Sequence, residues 1–266
     1  MLRTEIKERG NIRSAFAWIG LLLMVASFAW LQLISRNEST TTVAQPNPEG
    51  PLALVVIDPG HGGQDSGAMC GGVLEKDLTL DVARRVARLL QGQGLSAVLT
   101  RNGDEYVSLA NRAAIANRAR SCIFVSIHFN DTKKTATSGI ETYYATRQDT
   151  NSPLIASWLP FLQHAALDLP NIESQSLADF IQEALVGRTQ AVNRGTKTEQ
   201  FFVLANVRHP AVLVEGGFLT NKEDMNKLTV DTYREQIAAA IADGIARYRD
   251  VISHRQPTSA GTPPES

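Results

Sequence analysis

Apolar and polar positions change rhythm several times along the chain, and each rhythm predicts a different element. Residues 15–34 (AFAWIGLLLMVASFAWLQLI) pass twenty positions without a charge, about the length that spans a hydrocarbon core. A polar stretch carrying Pro46 and Pro48 follows and reads as a linker. Leu52–Ile57 is a continuous apolar run, as expected of a strand buried on both faces. From Glu75 to Gln91 the apolar residues Leu78, Val82, Val86, Leu89 and Leu90 recur at helical spacing and stop near Gly92 and Gly94. Ala97–Thr100 reads as a short strand, and Ser108–Arg120 as an alanine-rich helix with Ser108 as its N-cap. Ile123–His128, Ile140–Tyr144, Phe201–Leu204 and Ala211–Val214 read as strands, and Leu177–Leu185 as a helix. Asp231–Asp250 repeats Tyr233, Ile237, Ala240, Ile241, Ile245 and Tyr248 at the spacing of a long amphipathic helix. The polar, proline-bearing stretch 251–266 reads as a disordered tail.

Strands alternating with helices predict an α/β fold: one domain with a mainly parallel central sheet, covered by helices on both faces and preceded by an N-terminal transmembrane helix. Sites in such sheets gather at the carboxyl ends of the strands. His61, His128 and Glu215 each follow the C-terminal end of an apolar run, and Glu75 opens a helix between the first two. Alone, each has an ordinary explanation. A histidine after a strand commonly caps it or packs in the core, Glu75 suits the first turn of a helix, and Glu215 suits the next turn. Their convergence on one rim is what matters. Two imidazoles and a carboxylate leave a tetrahedral Zn²⁺ with one open position, the catalytic pattern. Glu215, at the edge of a buried strand where ionisation is costly, is the candidate general base. Gly60, Gly62 and Gly63 allow a tight turn around His61. They lack the third glycine of a dinucleotide loop, and no Gly-Lys-Ser/Thr follows.

A net charge of −1 over 266 residues gives no basic field, so nucleic acid is excluded as a partner. Cys70 and Cys122 are too few for a disulfide framework and are not spaced as zinc ligands. Arg3, Lys7, Arg9 and Arg13 precede the long apolar run against Glu5 and Glu8. That bias keeps the N-terminus in the cytoplasm and exports the rest. The expected organisation is a cytoplasmic tail (1–14), a transmembrane anchor (15–35), a linker (36–51), a catalytic domain (52–250) and the tail (251–266). A cleaved signal peptide is the alternative for 15–35, since Ser27 and Ala29 stand at plausible −3 and −1 positions. Both place the globular part outside the cytoplasm.

The segments Ile57-Asp58-Pro59-Gly60-His61-Gly62-Gly63, Glu75-Lys76-Asp77-Leu78, Leu99-Thr100-Arg101, Ser126-Ile127-His128 and Val214-Glu215-Gly216-Gly217-Phe218-Leu219-Thr220-Asn221 occur in the order of one family. The chain resembles the zinc-dependent N-acetylmuramoyl-L-alanine amidases from about Leu52 to Tyr248. The resemblance implies one zinc per chain held by His61, Glu75 and His128, with Glu215 catalytic. The implied reaction is hydrolysis of the amide joining N-acetylmuramic acid to L-alanine in peptidoglycan. Asn111-Arg112 and Arg194 match recurrent family positions without an assigned role, and no substrate-binding residue is assigned. Some relatives insert a helix over the zinc after the strand corresponding to Ile140–Tyr144, so residues 146–174, with the apolar cluster Leu154, Ile155, Trp158, Leu159, Phe161 and Leu162, are read in two ways: as a segment packed on the core, or as a lid on which a protein activator acts, with His164 or Glu173 reaching the metal. The remaining expected partners are peptidoglycan and the cytoplasmic membrane. Two rival readings are a zinc peptidase acting on stem peptides and a non-catalytic wall-binding regulator on the same fold.

Overall fold

Strict alternation of inward residues along the central strands puts two separate apolar layers on one sheet. In the computed structural model of the protein, the described residues are Met24, Ser27, 54–148 and 171–255. The strands are β1 (Leu54–Pro59), β4 (Ser96–Leu99), β5 (Ile123–Asn130), β6 (Ile140–Tyr144), β7 (Asn193–Thr198) and β8 (Ala211–Phe218). They form one sheet in the order β4-β1-β5-β8-β6-β7. β4, β1, β5 and β8 pair in parallel, β6 runs antiparallel to β8, and β7 is parallel to β6. A two-stranded antiparallel ribbon, β2 (Met69–Cys70) with β3 (Val73–Leu74), lies in the loop between β1 and the first helix.

The helices are α1 (Glu75–Gly92), α2 (Leu109–Asn117), α3 (Ile172–Thr189), α4 (Phe202–Ala205), α5 (Lys222–Leu228) and α6 (Asp231–Arg255). One face of the sheet, carrying Val55, Ile57, Ile123, Val125, Ile127, Val212 and Val214, packs under α1, α3 and α6. The opposite face, carrying Val56, Phe124, Ala211 and Leu213, packs under Ala113 and Ala116 of α2 and Val203 and Leu204 of α4. The α/β fold with a mainly parallel sheet covered on both faces is as expected.

Four details differ from expectation. Phe201–Leu204 is not a strand, because α4 occupies Phe202–Ala205; four apolar residues carry no period that separates strand from helix. β7 was not expected, since its polar residues (NRGTKT) are those of an edge strand. β8 does not stop at Val214 but runs through Gly216 and Gly217 to Phe218, so Glu215 projects from within a strand. The last helix continues to Arg255, five residues into the stretch expected as a disordered tail.

The chain divides into two units, Met1–Asn47 and Pro48–Ser266. In the first, Met24 and Ser27 are helical and exposed. The anchor or signal reading of 15–35 otherwise lies outside the described residues, as do residues 1–14, 36–53 and 256–266. Among the described residues no helix is long and apolar enough to cross a membrane. Of the candidate lid 146–174, residues 149–170 with His164 lie outside the described residues. The start of α3 is described: Asn171 Nδ2 donates to the Ala145 carbonyl at 2.9 Å, and Ser174 Oγ accepts from the Ala211 amide at 3.0 Å. Glu173 therefore stands beside the N-terminal end of β8, the end opposite the site. Both cysteines are unpaired, and burial pushes the Cys122 thiol up to about 12.

Candidate metal centre

His61 takes a left-handed backbone conformation (φ 59°) where β1 ends, a strained state for a residue with a side chain. Two buried arginines hold it there. Arg101 donates to the carbonyls of Pro59 (3.1 Å) and Gly60 (2.9 Å), and Arg112 to those of Pro59 and His61, both at 2.6 Å. Thr79 Oγ1 also donates to Gly60 at 2.8 Å. Arg112 is anchored on buried Asp58 (2.6 Å), which in turn accepts from Thr100 and from Ser126 (2.8 Å). The successive carbonyls of Pro59, Gly60 and His61 are thus fixed by side chains.

The same packing brings three donors to one point. Glu75 Oε1 lies 3.1 Å from His61 Nε2 and 3.0 Å from His128 Nδ1. These three residues form a group able to hold a metal ion. Four-coordinate zinc, with bonds of about 2.0–2.1 Å, holds its ligand atoms about 3.3 Å apart, so the donor set fits such an ion. The remaining atoms are committed elsewhere: Asp65 Oδ2 lies 2.9 Å from His61 Nδ1, and Glu75 Oε2 accepts from the Ala68 amide at 2.8 Å. Such outer contacts fix ring orientation and tautomer. Glycines shape the cradle. A Cβ on Gly60 would lie 2.3 Å from the His128 ring, and one on Gly67 would lie 2.4 Å from Glu75 Oε2 and 2.6 Å from the His61 ring.

His61 and Glu75 shift each other's protonation. Burial alone would raise the Glu75 pKa, but His128 and His61 outweigh it and hold the carboxylate well below its usual range. Burial alone would lower the His61 pKa, but Glu75 and Asp65 outweigh it and raise it. Glu215 stands apart. It is the register partner of His128 on one side and of Glu141 on the other, and its Oε2 is shut from solvent without a hydrogen-bond partner. Burial pushes its carboxyl well above the carboxylate range, and the charges of Glu75 and Glu141 push it further.

The four sequence-predicted residues therefore sit together, His61, Glu75 and His128 as one donor group and Glu215 on the neighbouring strand. Sequence reasoning missed Asp65 and Gly67, and it noted Arg112 without a role. It also missed Glu141, a buried carboxylate whose Oε1 accepts from Asn130 (3.0 Å) and Tyr143 (2.7 Å), and whose Oε2 accepts from Arg194 (2.7 Å) and Lys197. A charged residue inside an otherwise uncharged strand, Ile140-Glu141-Thr142-Tyr143-Tyr144, was the signal that could have found it.

Fold and site together define an α/β protein with a His-Glu-His group able to hold a metal ion at the carboxyl edge of its parallel strands and a buried acid beside it. The family model for N-acetylmuramoyl-L-alanine amidase matches residues 55–247, and the chain belongs to that family of amidohydrolases. The amidase LytC of Bacillus subtilis (strain 168) is 37% identical over 218 residues, which cover 81% of this chain and 40% of LytC. The crystal structure of N-acetylmuramoyl-L-alanine amidase from Clostridium difficile 630 superposes with a TM-score of 0.65 at 32% identity, over 76% of this chain and 98% of that one. The CwlD amidase from Clostridioides difficile, solved in complex with the GerS lipoprotein, superposes with a TM-score of 0.63 at 29% identity, over 74% of this chain and 98% of that one.

Proposed function

We propose that this chain is a zinc-dependent amidase that cuts the bond between N-acetylmuramic acid and L-alanine in peptidoglycan. The observation that carries the reading is the meeting of His61, Glu75 and His128 around one point, with the unpartnered Oε2 of Glu215 on the adjacent strand. His61 Nε2, His128 Nδ1 and Glu75 Oε1 are the atoms that would hold one zinc ion per chain. A bound zinc supplies Lewis-acid activation of water and of the scissile carbonyl. Glu215 supplies the proton traffic. Its carboxylate takes the proton of the attacking water and returns it to the departing alanine nitrogen, base first and acid second. Burial raises its proton affinity, which suits return of the proton to an amine. Asp65 holds the His61 ring, and the arginine-bound carbonyls keep that ring aimed at Glu75 and His128.

Residues 52–250 form the catalytic domain in this reading, working outside the cytoplasm, where peptidoglycan lies. The apolar run 15–35 acts as its membrane anchor, or as its export signal if cleaved. A protein activator working on residues 146–174 fits a family in which CwlD was solved with a lipoprotein. The test is to digest purified sacculi with the zinc-loaded protein. New L-alanine amino termini together with glycan ending in intact muramic acid are expected. Release of amino termini from within the stem peptide would instead identify a peptidase, and no release would leave a non-catalytic wall-binding protein.

A further inference from the structure

One row of polar side chains crosses four neighbouring strands on the face that bears the metal centre. His128 on β5, Glu215 on β8 and Glu141 on β6 are successive register partners. On β7 the register shifts beside Glu141, which brings Arg194 to the end of the row. Strands lie about 4.8 Å apart, so the backbone of Arg194 stands about 10 Å from that of Glu215 and about 14 Å from that of His128.

Arg194 is built into position. Its Nε donates to Glu141 Oε2 at 2.7 Å, and its guanidinium lies over the Phe218 ring, 5.1 Å from the centroid. Glu141 is 3% exposed and saturated by Asn130, Tyr143, Lys197 and Arg194, so it cannot turn away. Lys197 shares the same carboxylate oxygen and stands over the Tyr143 ring at 5.7 Å. Two cations over one carboxylate leave one positive charge in excess. The terminal nitrogens of Arg194 meet no protein acceptor among the described residues, and its side chain is 31% exposed. A guanidinium clamped on one edge and open on the other presents the paired donors that suit a carboxylate.

We propose that Arg194, oriented by Glu141 and with Lys197 beside it, is a subsite for a carboxylate on the stem peptide, one residue beyond the alanine at the cut. This deepens the amidase reading and rests on it. With the scissile carbonyl over the metal donors, two extended residues span about 7 Å, which covers the distance that remains once an arginine side chain reaches toward Glu215. Arg194 recognises the acid and thereby fixes the direction in which the peptide leaves the metal centre, across β8 and β6.

The test compares two N-acetylmuramoyl peptides that differ only in whether the residue after L-alanine carries a free α-carboxylate or its amide. Zinc-loaded wild type should favour the acid by roughly 10- to 100-fold in kcat/KM, mostly through KM, as expected for a hydrogen bond between charged groups. Arg194→Gln should bring that ratio to about 1, and Arg194→Lys should keep part of it. Lys197→Gln should lower the ratio less than Arg194→Gln. A wild-type ratio near 1, or an Arg194→Gln enzyme slowed equally on both substrates, would show that Arg194 and Lys197 only tie β6 to β7 and would sink the subsite while leaving the amidase standing. If wild type freed the L-alanine amine from neither substrate, the amidase reading and the subsite would fall together.

Discussion

Replacing Arg112 with leucine should loosen the loop that carries His61, and the size of the effect follows from the hydrogen bonds this side chain makes. Arg112 donates to Asp58, to the carbonyls of Pro59 and His61, each at 2.6 Å, and to that of Val107 at 2.9 Å. Pro59 keeps Arg101 as a donor, and Asp58 keeps the hydroxyls of Thr100 and Ser126. What remains uncompensated is a buried carboxylate without its cation and the carbonyls of His61 and Val107 without the Arg112 donor. Breaking one side of a buried ion pair costs about 3–5 kcal/mol, and the two retained hydroxyls place this case near 3 kcal/mol. For a domain of about 200 residues that lowers the melting temperature by about 6–12 °C. Calorimetry on the metal-free protein isolates this term from ligand binding. Because the penalty is largely an unpaired charge, Asp58→Asn in the Arg112→Leu background should restore part of the stability. Zinc affinity of the single variant should fall by about 10- to 100-fold, since the His61 ring is no longer held in place. A metal-free melting temperature within about 2 °C of wild type, or unchanged zinc affinity, would refute the claim that Arg112 holds the metal loop.

Two further outcomes follow from the same geometry. Gly67→Ala should reduce zinc binding severely, because its Cβ would collide with Glu75 and His61, whereas Gly72→Ala, with nothing within 4 Å, should leave it intact; metal titration of both variants checks this. Asp81, between Arg85 and Arg234, ties α1 to α6. Burial would raise its pKa, but the two arginines outweigh it and lower it. A depressed folded pKa gives stability that is present above the unfolded value of about 3.9 and lost as pH falls through the folded one. The melting-temperature gap between wild type and Asp81→Asn should therefore be open at pH 7 and narrow as the pH approaches about 3; a constant gap would show that the charge is not the source.

The residues of the candidate site were legible because each sits where a simple pattern breaks. His61, His128 and Glu215 interrupt apolar runs at or near their carboxyl ends, and Glu75 begins a helical period. Their support was not legible, because it depends on contacts between residues distant in sequence. Arg112 meets Asp58 across 54 positions, and Gly67 matters only because Glu75 and His61 fold over it. The same holds for strand pairing. β7 is polar and carries no alternation, so only its partnership with β6 makes it a strand. Phe201–Leu204 shows the converse, an apolar run too short to choose its own state. Glu141 stood in plain view within β6, yet its meaning comes from Arg194 and Lys197 on the neighbouring strand.

We propose a division of labour at the site: His61, Glu75 and His128 hold the metal, and Glu215 moves the proton. Glu215→Gln separates the two roles, because the amide keeps the shape of the side chain but cannot serve as the base. Zinc content and hydrolysis of sacculi should be measured on the same purified sample. One zinc per chain is expected in the variant, with release of L-alanine amino termini reduced by about 10²–10⁴-fold. Loss of zinc along with activity would make Glu215 a ligand, and undiminished hydrolysis would remove it from the chemistry.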